Sequence, residues 1–179
     1  LTMALRFFWR CESENLDATH DYSAGDTTGS LINNGAISSV AKRTGSFGLL
    51  RIVSSAGGCN FTPTNIIPEI IASPASANVS MGFWFKPVGS IYNFSLNTAF
   101  RFRGTASDDY ISFSYQPSGG FGFGMKESAG GTAVAATVPA GTVTADNWHF
   151  MVGRLDIPGD RIALEVYDIN MDLIDSGTY

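Results

Sequence analysis

Residues 79–87 decide the fold, and they read Val-Ser-Met-Gly-Phe-Trp-Phe-Lys-Pro. Side chains alternate between the two faces of a β-strand, so Met81, Phe83 and Phe85 share one face and Trp84 lies on the other. Pro87 has no N–H to donate to a sheet ladder and marks the end of the strand. A strand with large apolar groups on both faces is either covered twice or offers one aromatic ring to a partner.

The same alternation recurs along the chain between glycine-rich or polar turns. No window keeps a helical period over three turns. The predicted strands are residues 5–11, 47–53, 79–86, 98–103, 110–115, 121–126, 132–138, 148–156 and 161–169. Many antiparallel strands that are apolar on one face favour an all-β fold, an antiparallel two-sheet β-sandwich of the jelly-roll type.

Two details of this pattern concern function. In the strand 148–156 the apolar face that we assign to the core carries Trp148, Phe150 and Val152, and His149 alternates with it. We therefore interpret His149 as a histidine with satisfied hydrogen bonds at a sheet edge, not as a base or a ligand. The longest predicted loops are residues 14–34 and 54–78, and loops on a rigid sheet are where binding sites tend to lie.

Composition limits the classes of function. The chain has 179 residues, of which 44% are hydrophobic, and this predicts one globular domain over residues 1–179. The net charge of −5 and the absence of a basic run argue against nucleic acid and anionic membrane surfaces as partners. No stretch is long and apolar enough for membrane insertion, and Arg6 and Arg10 interrupt the first residues, so no signal peptide is expected.

The only two cysteines are Cys11 and Cys59. Without an export signal, two free buried thiols are the favoured state. A single disulfide between the first predicted strand and a later loop stays open, because sequence spacing alone cannot show it.

Three stretches together resemble the laminin-G-like branch of the concanavalin A-like lectin/glucanase superfamily. Residues 41–50 resemble its small-residue strand with glycine followed by apolar residues, and residues 79–87 are similar to its Phe-Trp-aliphatic-Lys-Pro strand. Residues 146–168 have its Trp-His strand and Asp turn, followed by a strand that ends in Val-Tyr-Asp where the family has Tyr-x-Asp-Gly. The resemblance implies a concanavalin A-like sandwich. Two departures are that Ile169 and Asn170 replace the glycine after that aspartate, and that the family's final strands have no counterpart before the end of the sequence. The domain is thus expected to be truncated or to be completed by another chain.

Catalysis is not expected. Glycoside hydrolysis needs two carboxylates held across the sugar bond, and the Glu-x-Asp-x-x-Glu motif of the related glucanases is missing. Glu12 and Glu14 share a face only at the end of a predicted strand, whereas Glu165 and Asp168 fall on opposite faces. His20 has serine and aspartate near it in sequence, but a catalytic triad is assembled in space.

Calcium is the cofactor that the sequence makes plausible, because it prefers several oxygen ligands from loops. Laminin-G-like domains often hold calcium at the sandwich rim, so the resemblance adds weight. The candidate metal ligands are Asp21, Asp26, Asp108 and Asp109. The alternative is that these aspartates, with glycine and serine beside them, make turns.

Sugar binding needs an aromatic ring for the C–H face and amides or carboxylates for the hydroxyls. The predicted ligand-binding residues are Tyr92, Asn93, Asn97, Asp109 and Tyr110, while Trp84 and Trp148 are interpreted as packing residues. The sequence therefore predicts a non-catalytic adhesion module that binds a carbohydrate or cell-surface ligand and self-associates, at a virion or cell surface. The alternative is a structural subunit of a virion or similar assembly, such as a decoration, fibre or spike protein.

Overall fold

The computed structural model describes residues 30–32, 36–38, 43, 48–50, 58–60, 78–87, 98–103, 110–115, 120–126 and 131–179. The chain divides into two compact units, Leu1–Ile66 and Ile67–Tyr179. Every regular element in the described ranges is a β-strand, and no described helix is long and apolar enough to cross a membrane. The predicted strand 5–11 lies outside the described residues.

The described residues of the first unit form four short strands. They are β1 (Ser30–Ile32), β2 (Ala36–Ser38), β3 (Gly48–Leu50) and β4 (Gly58–Asn60). β1 pairs with β4 and β2 with β3, both antiparallel, and Leu31 lies opposite Cys59. The predicted strand 47–53 is therefore found in part, whereas β1 and β4 fall in stretches that were predicted to be loops.

The second unit contains two four-stranded antiparallel sheets. Its strands are β5 (Asn78–Phe85), β6 (Thr98–Arg103), β7 (Tyr110–Tyr115), β8 (Phe121–Lys126), β9 (Val134–Val138), β10 (His149–Asp156), β11 (Arg161–Tyr167) and β12 (Leu173–Thr178). Sheet I has the order β12-β11-β10-β5, and sheet II has the order β6-β7-β8-β9. The bounds of β6, β7 and β8 are those predicted, and β12 was not predicted.

Aromatic rings pack in the space between the two sheets. Phe83 of β5 meets Phe113 of β7 edge to face, with ring centroids 4.8 Å apart, and Phe85 meets Phe121 at 5.9 Å. The buried apolar side chains are Ile111, Phe113, Phe121, Phe123, Ala136, Val138, Val143, Met151, Leu155, Ile162, Leu164 and Val166. They come from both sheets, and the all-β sandwich arrangement is confirmed for this unit.

One face assignment was wrong. The inward face of β10 carries His149, Met151 and Leu155, whereas Phe150 lies on the other face against Trp84, with ring centroids 5.2 Å apart. The strand alternates as predicted, but its two faces are exchanged. The physical reason is Gly153, because a Cβ atom at this position would overlap the Phe123 ring from sheet II. Only this face of β10 leaves space for that ring.

The unpredicted strand β12 forms one edge of sheet I and crosses close to β9 of sheet II. A Cβ atom on Gly177 would overlap the carbonyl of Thr137. Asp175 links the same region, since its carboxylate accepts a hydrogen bond from the Thr142 hydroxyl at 3.0 Å and from the Ser176 N–H at 2.8 Å. The second bond satisfies a backbone donor on an edge strand, where free donors invite pairing with other chains.

Candidate functional site

A cleft of about 300 Å³ opens at one end of the sandwich, between sheets I and II. β10 ends here at Asp156 and β11 begins at Arg161, while β8 ends and β9 begins on the facing sheet. Its apolar lining comes from Met125, Val134, Leu155, Ile157 and Ile162, and its polar lining from Thr132, Asp156, Asp160, Arg161 and Tyr179. This volume is at the lower end of the range for small-molecule pockets.

The turn between β10 and β11 positions the acidic part of the rim. The N–H of Gly159 donates to Oδ1 of Asp156 at 3.0 Å, and the N–H of Asp160 donates to the carbonyl of Ile157 at 3.1 Å. A Cβ atom on Gly159 would overlap the Asp156 carboxylate, so a larger residue here would displace that side chain from its present position. Asp160 adopts the left-handed conformation with φ of 49°, which aspartate tolerates better than most residues.

Tyr179 provides the aromatic part of the rim. Its N–H donates to the carbonyl of Ile162 at 2.9 Å, and its carbonyl accepts from the N–H of Ile162 at 3.0 Å. The backbone of Tyr179 is therefore fixed to β11, while 61% of the residue surface is exposed. The cleft thus brings together an aromatic residue with a fixed backbone, two carboxylates and a guanidinium. Among the described residues, Arg161 has no ion-pair partner.

Of the predicted ligand-binding residues, the structure describes Tyr110. It begins β7 opposite Lys126, one pair away from the cleft residue Met125, and so lies at the same end of sheet II as the cleft. The guanidinium of Arg101 lies 4.5 Å from the centre of the Tyr110 ring, so one face of the ring is already occupied. The other predicted ligand and metal residues lie outside the described residues: Tyr92, Asn93, Asn97, Asp109, Asp21, Asp26 and Asp108.

Sequence reasoning missed Asp156, Asp160, Arg161 and Tyr179 as site residues. The available signal was a polar Pro-Gly-Asp turn between two strongly alternating strands. As for metals, no group of three or more His, Cys, Asp or Glu side chains in the described ranges could hold an ion. The calcium site therefore stays a prediction about residues that the structure does not describe.

Trp84 lies on the outer face of sheet I, where its ring packs against that of Phe150. Trp84, Phe150 and Tyr167 are aligned across three neighbouring strands, and each is half-buried. The hydroxyl of Tyr167 donates to Oε2 of Glu165 at 2.7 Å, while the Arg154 guanidinium pairs with Oε1. The hydrogen bond to Glu165 raises the pKa of Tyr167. Both oxygens of Glu165 have partners, which favours a structural role for this acid.

Asp168 is also committed to local structure. Its Oδ1 accepts hydrogen bonds from the N–H groups of Asn170 at 2.8 Å and Asp172 at 2.9 Å, and so organises the turn between β11 and β12. The bond from the Asp172 backbone is the main reason that the pKa of Asp168 lies below its usual value. Met171 in this turn has φ of 69°.

His149 lies at the opposite end of β10 from the cleft and is only 3% exposed. Its Nε2 accepts a hydrogen bond from the N–H of Thr144 at 3.1 Å, whereas its buried Nδ1 has no hydrogen-bond partner in the described part of the chain. The expectation of a satisfied histidine is thus met at one nitrogen and not at the other. Burial is the main cause of a lowered pKa for His149.

The chain was compared with protein-family models, with curated proteins and with solved structures, and no match was found in any of the three.

Proposed function

We propose that the protein is a non-catalytic glycan-binding module with a concanavalin A-like, laminin-G-like jelly roll, and that the end cleft is its sugar site. The observation that carries this proposal is the side-chain chemistry of the rim, where Tyr179 lies beside Asp156, Asp160 and Arg161. An aromatic ring packs against the C–H face of a sugar, carboxylates accept from hydroxyls, and a guanidinium donates to them.

The charge of the rim favours neutral sugars. Asp156 and Asp160 carry two negative charges against the single positive charge of Arg161, and the whole chain has a net charge of −5. Uronic or sulfated sugars would therefore meet repulsion. Binding at one cleft should be weak, because the desolvation of hydroxyls offsets much of the contact energy. Several clefts on one assembly would raise the overall avidity.

Changing Asp160 to Asn together with Arg161 to Gln should weaken glycan binding by about tenfold or more, because charge-assisted hydrogen bonds are lost. Both residues are exposed, so the free energy of unfolding should hardly change. A glycan array, run with calcium and with a chelator, identifies a neutral glycan for titration calorimetry. Loss of the signal in chelator would support the calcium site predicted at Asp21, Asp26, Asp108 and Asp109.

The matched control is Arg154→Gln, which removes an exposed arginine from sheet I outside the cleft. This variant should bind like the parent protein. Equal affinity of the Asp160/Arg161 double variant and the parent would remove the cleft from the proposal. If the parent protein binds no glycan on the array, the proposal of glycan binding is contradicted.

A structural subunit of a larger assembly is the second candidate, and one observation favours it. Large apolar side chains are exposed together at the turn between β11 and β12 and at the start of β12: Ile169, Met171, Leu173 and Ile174. Exposed apolar groups of this kind often mark contacts with other chains. If they hold an assembly together, Leu173→Lys should reduce the mass measured by light scattering to that of one chain. A parent protein that is already monomeric would contradict this role.

A further inference from the structure

His149 is placed where the two sheets are connected. It is the first residue of β10 in sheet I, and residues 139–148, the connecting turn, lead to it from β9 of sheet II. Its ring points inward, opposite Phe85 of β5, and is almost fully buried. A buried titratable ring therefore lies directly at the connection between the two sheets.

One of the two backbone hydrogen bonds of the ring, the one from the Thr144 N–H, requires the neutral form. Because the N–H of Thr144 donates to Nε2, that nitrogen must carry a lone pair, and the proton then lies on the buried Nδ1. In the other neutral tautomer, Nε2–H donates to the carbonyl of Thr144 at 3.2 Å and Nδ1 has an unused lone pair. In a charged ring both nitrogens carry protons. Nε2–H can then still donate to the Thr144 carbonyl, but the Thr144 N–H loses its acceptor and a buried N–H without a partner remains at Nδ1.

The connecting turn has a few other attachments. The N–H of Asp146 donates to the carbonyl of Pro87, just after β5, at 2.7 Å. The hydroxyl of Thr142 donates to Asp175 of β12 at 3.0 Å. Through these two bonds the connecting turn contacts the end of β5 and the strand β12, which are the two edge strands of sheet I. His149 binds the middle of the turn at Thr144.

Charged groups lie on the elements that neighbour His149, and among them the Asp168 carboxylate interacts with its ring. The described ones are Lys86 after β5, Asp146 in the connecting turn, Asp168 after β11 and Asp175 on β12. Burial has the largest effect and lowers the pKa of His149, whereas the hydrogen bond to the Thr144 backbone and the negative charge of Asp168 both raise it. The neutral ring is therefore the form that the closed turn stabilises.

We propose that His149 is a pH-operated clasp: its neutral ring holds the connecting turn closed, and protonation of the ring in acid opens the turn while the two sheets stay packed. The sign follows from linkage. An exposed histidine takes up a proton near pH 6.5, whereas the buried ring does so at lower pH. The ratio of closed to open turn is constant above about pH 6.5 and falls by up to about tenfold per pH unit below it, until the pH reaches the lowered pKa.

Amide hydrogen exchange on the intact chain tests this proposal. At about pH 5, relative to about pH 7.5 and after correction for intrinsic exchange rates, the amide of Thr144 and its neighbours in the connecting turn should lose about tenfold of their protection. Amides of core residues such as Met151 and Leu164 should keep theirs. His149→Gln supplies an uncharged acceptor for the Thr144 N–H, so its connecting turn should not respond to acid.

The matched control is His20→Gln, because His20 is the only other histidine in the chain. This variant should keep the acid response of the parent. An equal acid response in His149→Gln, or unchanged protection of the parent turn at about pH 5, would overturn the proposal. If His149→Gln does not fold, the NMR titration of the parent His149 ring decides, since a pKa at or above about 6.5 contradicts the clasp. Asp168→Asn should make the acid-induced loss of protection larger, because removing the carboxylate charge lowers the pKa of the closed ring further.

Discussion

Replacing Phe113 with alanine is expected to lower the free energy of unfolding by about 3–5 kcal/mol. The ring is completely buried on β7 and contacts two other rings, with centroids 4.8 Å away at Phe83 and 4.5 Å away at Phe123. Truncation leaves a cavity at the centre of the sandwich, and neighbouring strands of sheet II cannot close it without losing their register. Urea unfolding followed by tryptophan fluorescence measures the change.

A control for this prediction is Ile174→Ala, which shortens an apolar side chain that is 44% exposed on β12. We expect this variant to stay within about 0.5 kcal/mol of the parent protein. Equal losses in Phe113→Ala and Ile174→Ala would show that the rings between the sheets do not form the stabilising core.

Gly153→Ala is expected to destabilise the protein by about 3 kcal/mol, at the upper end of the range for overpacked cores. The added methyl group would overlap the ring of Phe123, which is itself completely buried. To make room, either β10 must move away from sheet II or the ring must leave its rotamer. Thermal and urea unfolding of the purified variant measure the loss.

The double variant Gly153→Ala with Phe123→Leu separates overpacking from other effects of the alanine. If the methyl group acts by colliding with the ring, the smaller leucine should recover part of the loss, and the two single changes should not be additive. Additive losses would contradict the collision. Gly141→Ala is a useful comparison, since its Cβ would meet nothing within 4 Å and only the φ of +92° opposes it.

The sequence was sufficient to predict strands that carry several large apolar residues at period two. β7 and β8 alternate Ile111 and Phe113, then Phe121 and Phe123, against serine or glycine, and their bounds are those predicted. β1, β2 and β4 have three residues each, too few for a period to be recognised. β12 contains Asp-Ser-Gly-Thr, which is typical of a turn, and becomes a strand because β11 offers it a partner.

The inward face of β10 could not be predicted locally. Phe150 and Val152 are as apolar as Met151 and Leu155, so the period gives the alternation but not the side that meets sheet II. The choice depends on Gly153 and Phe123, which are distant in sequence and meet only after the sheets pack.

The candidate site divides in the same way. Tyr110 was predicted as a ligand residue; it begins β7 at the end of sheet II where the cleft opens, but it does not line the cleft. The rim, however, requires Tyr179 to pair with Ile162 and Met125 to face Leu155 across the sheets. Such pairings are long-range products of topology, and no local motif encodes them.

Gly177 has a consequence for how substitutions are tolerated along the chain. It is half-buried on an edge strand, where side chains of most sizes are normally accepted, yet the Thr137 carbonyl occupies the space of its Cβ atom. The close approach of β12 to β9 therefore depends on glycine at position 177, and any larger residue would push the two strands apart. In a saturation screen for folded protein, position 177 should tolerate substitution as poorly as the aromatic core does. Natural selection should keep the glycine here for packing, without any contact to a ligand.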